Sequence, residues 1–117
     1  MKIYVAHSKD FDFEKKLYAP LRTSELDKLH IFILPHENEG NDFSRDVIKE
    51  SGLLLAEISK PSTSLGIEIG WANAFGVPII TLREIGTKKP WWTDKVCKAD
   101  VEYADSADLV NKLSKAI

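Results

Sequence analysis

Glu68 stands where a charge is expensive. It lies in Gly66-Ile67-Glu68-Ile69-Gly70-Trp71-Ala72, and from Leu65 to Phe75 only Glu68 and Asn73 break an apolar helical stretch. A helix of that pattern is expected to be buried nearly all round. A carboxylate inside it must be paired, hydrogen-bonded or open to a cleft. A capping box would place Glu three residues after the cap, but with Ser64 as cap that place is Ile67. Two readings stay open: Glu68 complements the helix dipole, or it is a reactive group in a cleft.

Other residues could complete such a cleft. Asp46 reads by default as a surface aspartate. Set across a cleft from Glu68, it would give two carboxylates of separated proton affinity, the arrangement that cleaves glycosidic bonds with one nucleophile and one acid. Tyr4, inside an apolar strand, either packs the core or orients a nearby carboxylate through its hydroxyl. Ser62, Thr63 and Ser64 precede a helix N-terminus, a natural site for an anion or sugar hydroxyls, or else a cap with solvated hydroxyls. Trp91 and Trp92 could stack on a base, pack a subunit interface or anchor the chain.

The elements that would position these residues alternate between strand and helix. Lys2–His7 reads as strand 1, His30–Pro35 as strand 2, Leu53–Ile58 as a strand buried on both faces, Ile79–Leu82 as strand 4 and Val101–Tyr103 as a short strand 5. Between them, Phe13, Leu17 and Leu21 give an inward stripe interrupted by Pro20, which kinks the helix or begins a second one. Ser24–Leu29 reads as a polar turn. A helix is expected over 43–51 and another from Leu65 to Phe75, ended by Gly76 and Pro78. One helical turn follows Trp91-Trp92, and an amphipathic helix covers Asp108–Ile117 with Ser106 or Asp105 as cap. This alternation predicts one α/β domain over residues 1–117, a doubly wound, flavodoxin-like fold with a five-stranded parallel sheet flanked by helices. Right-handed crossovers then bring the loops after strands 1, 2 and 3 to one edge of the sheet.

Composition narrows the partners. The chain has 117 residues, 44% of them apolar and 29% charged, with a net charge of −2. That balance offers no electrostatic case for a nucleic-acid polymer or an anionic membrane. No apolar run nears the ~20 residues of a spanning helix, and Met1-Lys2 leads into a strand rather than a secretory signal. Cys97 is alone, so the expected compartment is the reducing cytoplasm. His7, His30 and His36 lack ligand spacing, so no metal is expected. No Walker loop, dinucleotide fingerprint or serine-nucleophile elbow occurs, and no cofactor is expected.

At Ala56-Glu57-Ile58-Ser59-Lys60-Pro61-Ser62, followed by Gly66-Ile67-Glu68-Ile69-Gly70-Trp71-Ala72, the chain resembles the nucleoside 2-deoxyribosyltransferase family. Its small branch, the 2′-deoxynucleoside 5′-monophosphate N-glycosidases, is the nearest in flavour. The resemblance implies a Rossmann-like homodimer or higher homo-oligomer that cleaves or transfers at the N-glycosidic bond of a small (deoxy)nucleoside or nucleotide, without a cofactor. It implies Glu68 as a nucleophile forming a glycosyl-enzyme ester, Tyr4 as its orienting group, and Ser62 beside sugar or phosphate. Asp46 is the implied acid, with Asp42 as its rival. His7, Ser8, Lys9, Ser64, Gly66 and Trp92 complete the expected substrate contacts, Lys9 serving as an anion contact where the branch has a Gly-rich loop. Two further departures are Gly52, where the family has Asp, and Trp91-Trp92-Thr93, where the branch has a serine that reaches into the neighbouring subunit. The rival expectation is a nucleotide-binding or sensing module without turnover.

Overall fold

The computed structural model describes residues 1–37 and 45–117. Asp42, and the first residues of the helix expected over 43–51, lie outside the described residues.

Five parallel strands form one sheet in the order β2-β1-β3-β4-β5. They are β1 (Lys2–His7), β2 (Ile31–Ile33), β3 (Leu53–Glu57), β4 (Ile79–Glu84) and β5 (Ala99–Tyr103). The helices are α1 (Ala19–Arg22), α2 (Leu26–Leu29), α3 (Arg45–Lys49), α4 (Thr63–Ala74), α5 (Thr93–Val96) and α6 (Ser106–Ala116). The doubly wound α/β architecture expected from the strand–helix alternation is therefore present, and its chemistry follows from the sheet. Every residue of β3 is buried, as a central strand covered on both faces requires.

Side chains alternate between two apolar layers. Ile3, Val5, Leu53, Leu55, Ile80 and Leu82 face a layer closed by Leu17, Leu21, Leu26, Leu109 and Leu113. Tyr4, Ala6, Leu54, Ala56 and Ile79 face the other, closed by Ile48, Leu65, Ile69 and Ala72. Tyr4 thus points towards α4, the helix that carries Glu68.

Several boundaries differ from the periodicity. A π-helical segment, Glu14–Tyr18, runs directly into α1, with Pro20 in that helix's first turn, where a missing N–H is tolerated. The polar turn expected over Ser24–Leu29 contains the short helix α2, whose Leu26 is buried in the core. Strand β2 is only Ile31–Ile33. Helix α4 starts two residues before Leu65 because Ser62, not Ser64, is its N-cap, its hydroxyl accepting from the Leu65 N–H at 3.5 Å. It ends as expected: Gly76 takes φ +72°, and Val77 N–H donates to the Ala72 carbonyl at 2.9 Å, the left-handed stop that glycine permits. Asp105 caps α6, accepting from Asp108 N–H at 2.8 Å.

Helix α4 is not covered on all sides. Gly66, Ile67, Gly70 and Ala74 are exposed, and Ile67 keeps 42% of its surface. One sheet face can bury only one side of a helix, so an all-round apolar sequence leaves a remainder bare. No helix among the described residues is long and apolar enough to cross a membrane.

Candidate functional site

The register of the sheet brings three chain segments to the C-terminal edge of β1. β1 pairs with β2 on one side and β3 on the other. Residues following β2, and the helix following β3, therefore flank the end of β1. A cavity of about 300 Å³ opens there, lined by Val5, Ala6, His7, Lys9, Pro35, His36, Ser64 and Glu68. Its size is at the lower end of small-molecule pockets.

Glu68 is buried, with 6% of its surface exposed. Tyr4, wholly inside the sheet, donates its hydroxyl to Glu68 Oε2 at 2.5 Å, the length of a charge-assisted O–H···O bond. This bond favours the ionised carboxylate, but burial outweighs it and pushes the Glu68 carboxyl up to about 7. The helix N-terminus gives little help. With α4 starting at Thr63, Glu68 is its sixth residue, beyond the four N–H groups that a helix leaves free. The site therefore holds a carboxylate that exchanges its proton near neutrality, next to open volume.

Two of the lining residues, His7 and His36, belong to a cluster of rings. The His7 ring stacks on Phe13 with centroids 4.4 Å apart and meets His36 edge-on at 5.1 Å. His7 Nδ1 lies 2.9 Å from the Ser8 carbonyl and its Nε2 2.7 Å from the Tyr18 hydroxyl. A carbonyl only accepts, so Nδ1 carries the proton and Nε2 accepts from Tyr18. The Tyr18 oxygen in turn accepts the His36 N–H at 3.1 Å. Burial, with a smaller contribution from His36, holds His7 down at about 4 and therefore neutral. Burial likewise pushes the Tyr18 phenol up.

The residues singled out from the sequence separate into groups. Glu68, Ser64, His7 and Lys9 line the cavity, and Tyr4 bonds Glu68 from beneath. Ser8 is buried, and its hydroxyl accepts from the Asp10 N–H at 3.1 Å. Ser62, Gly66 and Trp92 line a different hollow of about 250 Å³ with Pro61 and Pro90, and the Ser62 hydroxyl bonds that of Ser64 at 3.0 Å. The Asp46 side chain is 85% exposed, 4.0 Å from Arg45, and is not among the described residues lining the cavity. Asp42 lies outside the described residues. Among the described residues no cluster of three His, Cys, Asp or Glu side chains could hold a metal ion.

Two features escaped the sequence reading. Pro35 and His36 line the cavity, although nothing in their spacing marks them; only the pairing of β2 with β1 brings them there. Glu57 is wholly buried at the end of β3. It accepts from the Tyr103 hydroxyl and, at 2.5 Å, from the Ser59 N–H, and burial raises its carboxyl. Ser59 also accepts the Glu84 N–H at 2.8 Å, so this group pins the loop leading to α4. A lone charge ending an apolar strand was the available signal.

Comparison with known proteins adds to this geometry. No family model matches the chain. Over 50 residues, 41% of the chain, it is 42% identical to a protein of Syntrophotalea carbinolica named as a 2′-deoxynucleoside 5′-phosphate N-hydrolase; the match spans 35% of that protein's length. The fold superimposes on a CMP N-glycosidase from Clostridium botulinum with a TM-score of 0.73 at 21% identity, covering 100% of both chains. It superimposes equally, at 19% identity, on a conserved protein from Enterococcus faecalis, covering 100% of this chain and 99% of that one. The structural likenesses bear on the fold, and the sequence likeness bears on the lineage. The sequence likeness over those 50 residues is in line with a resemblance to the nucleoside 2-deoxyribosyltransferase-like family, and the structural likenesses show the shared fold.

Proposed function

We propose that this protein cleaves the N-glycosidic bond of a nucleoside 5′-monophosphate, with Glu68 as nucleophile. One observation carries the reading: a buried carboxylate, bonded by Tyr4 at 2.5 Å, faces a cavity of nucleotide size. The names of the relatives, an N-hydrolase and an N-glycosidase, supply the substrate class.

In the forward step the ionised Glu68 oxygen bonds to C1′ while the C1′–N bond breaks, and its electron pair leaves with the base. Tyr4 holds the attacking carboxylate in one orientation and stabilises its charge. Water then cleaves the glycosyl ester, releasing the sugar phosphate and restoring Glu68. Lys9, at the cavity mouth, provides the positive charge for the phosphate. The apolar helix face left bare at Gly66, Ile67 and Gly70 is where a second copy of the chain would pack in a homodimer.

Incubating the protein with nucleoside monophosphates and free nucleosides, with and without an acceptor base, and separating products by chromatography tests the reading. Free base should appear from at least one monophosphate, and Glu68→Gln should lower its rate about a thousandfold or more. Release of base by Glu68→Gln at the wild-type rate would defeat it. A ligand-induced thermal shift without product would favour binding alone.

A further inference from the structure

We infer that Tyr18 is a positioning residue of the cavity: its hydroxyl holds the segments after β1 and β2 in the places where they meet a ligand. This inference rests on the glycosidase reading of the same cavity and adds to it a residue behind the wall. Tyr18 ends the π-helical segment Glu14–Tyr18, in which the Ala19 N–H reaches back five residues to the Glu14 carbonyl. Such wide turns are rare and are frequent at functional sites. The Tyr18 ring is buried in the apolar layer of Leu17 and Leu21. A phenylalanine would fill the same space, so packing alone does not require the hydroxyl.

The hydroxyl bonds run to the cavity wall. It donates to His7 Nε2 at 2.7 Å and accepts the His36 N–H at 3.1 Å. A phenol has one proton to give, and here His7 receives it. The His7 Nδ1–H in turn donates to the Ser8 carbonyl at 2.9 Å, which belongs to the peptide joining Ser8 to Lys9. The orientation of that peptide follows from the His7 ring, and the orientation of the ring from Tyr18. Lys9 lines the cavity. After β2, the turn from Leu34 to Glu37 is closed by the Glu37 N–H on the Leu34 carbonyl at 3.0 Å. Of the two residues inside it, Pro35 has no N–H and His36 gives its own to Tyr18; both line the cavity.

One side chain thus ties together two wall segments that no covalent path shorter than a strand and its helices connects. The bond between Tyr4 and Glu68 lies in the other apolar layer, on the α4 side of the sheet, and does not pass through Tyr18. With the hydroxyl present, a ligand meets a wall that is already ordered. Without it, the ligand must order the Ser8–Lys9 peptide and the Pro35–His36 turn itself, and that cost falls on binding. The attack of Glu68 on the bound substrate is left as it was.

Tyr18→Phe and His7→Leu, singly and together, test the inference with nucleoside monophosphates as substrates. Tyr18→Phe should raise KM about tenfold and leave kcat within about threefold of wild type. A side chain that only fills the core would instead lower the melting temperature and the active fraction, reducing the apparent kcat with KM unmoved. His7→Leu should also raise KM, and adding Tyr18→Phe to it should raise KM by less than about threefold more, because the link between them is already broken. The inference is overturned alone if KM of Tyr18→Phe stays at the wild-type value, if kcat falls as far as KM rises, or if the two single effects multiply in the double variant. A wild-type protein that releases no base from any monophosphate overturns it together with the glycosidase reading.

Discussion

The Tyr4 hydroxyl and Glu68 Oε2, 64 residues apart in the chain, are joined at 2.5 Å inside the sheet–helix interface. Two opposing influences meet at this bond. Burial favours the neutral carboxyl and the phenol favours the anion, with burial prevailing and holding Glu68 at about 7. Tyr4→Phe keeps the ring in its packing site and removes only the donor. The acid limb of kcat/KM, set by ionisation of Glu68, should then move to higher pH, and activity at pH 7 should fall. A pH–rate profile of the variant checks this, and an unmoved limb would separate the bond from the chemistry.

Opposite pH dependences are built into the two sides of the cavity. The Glu68 carboxyl is raised from 4.5 to about 7. Between those values the folded protein keeps a proton that the unfolded chain has released, so its contribution to stability is full below 4.5 and lost as pH rises through 7. His7 is lowered from 6.5 to about 4; its contribution is full above 6.5 and lost as pH falls through 4. Relative to wild type, Glu68→Gln should therefore gain about 3 kcal/mol from pH 4 to pH 8. His7→Gln should gain in the other direction, from pH 7 down to pH 4. Urea midpoints measured across that range give both slopes, and a pH-independent difference would contradict the assigned protonation states.

Two serines two residues apart have separate consequences. Ser62 caps α4 and lines the hollow beside Trp92, whereas Ser64 lines the Glu68 cavity. Ser62→Ala should cost about 1 kcal/mol of stability with little change in KM. Ser64→Ala should leave stability nearly unchanged and raise KM. Denaturation and initial-rate kinetics on the same two preparations distinguish the effects, and the reverse assignment would mean that substrate reaches the Ser62 side.

On the proposed reading, Lys9 would meet the phosphate. It is exposed and lines the cavity just past the end of β1. Lys9→Ala should weaken the monophosphate about tenfold while leaving the corresponding nucleoside unaffected, and added salt should narrow the wild-type preference. Equal losses for both ligands would place the phosphate elsewhere.

The elements were legible in the chain because their periods are local. Leu53 to Ile58 read as a strand buried on both faces because the run is too short for a helix, and Gly76 with Pro78 read as the end of the helix before the fourth strand. Glu68 was conspicuous for the same reason: a charge among Leu65, Ile67, Ile69 and Trp71 contradicts its neighbourhood, and the nature of the contradiction is visible without coordinates. Only the tertiary structure decided which groups meet that charge. Strand order laid Tyr4 beneath Glu68, carried Pro35 and His36 to the cavity wall, turned Asp46 out to solvent and sent Ser62 to a neighbouring hollow. The physical reason is that hydrophobic periodicity reports which face of an element is inside, whereas the partners of that face are set by sheet register and helix placement. Those depend on contacts between segments tens of residues apart, which no local spacing records.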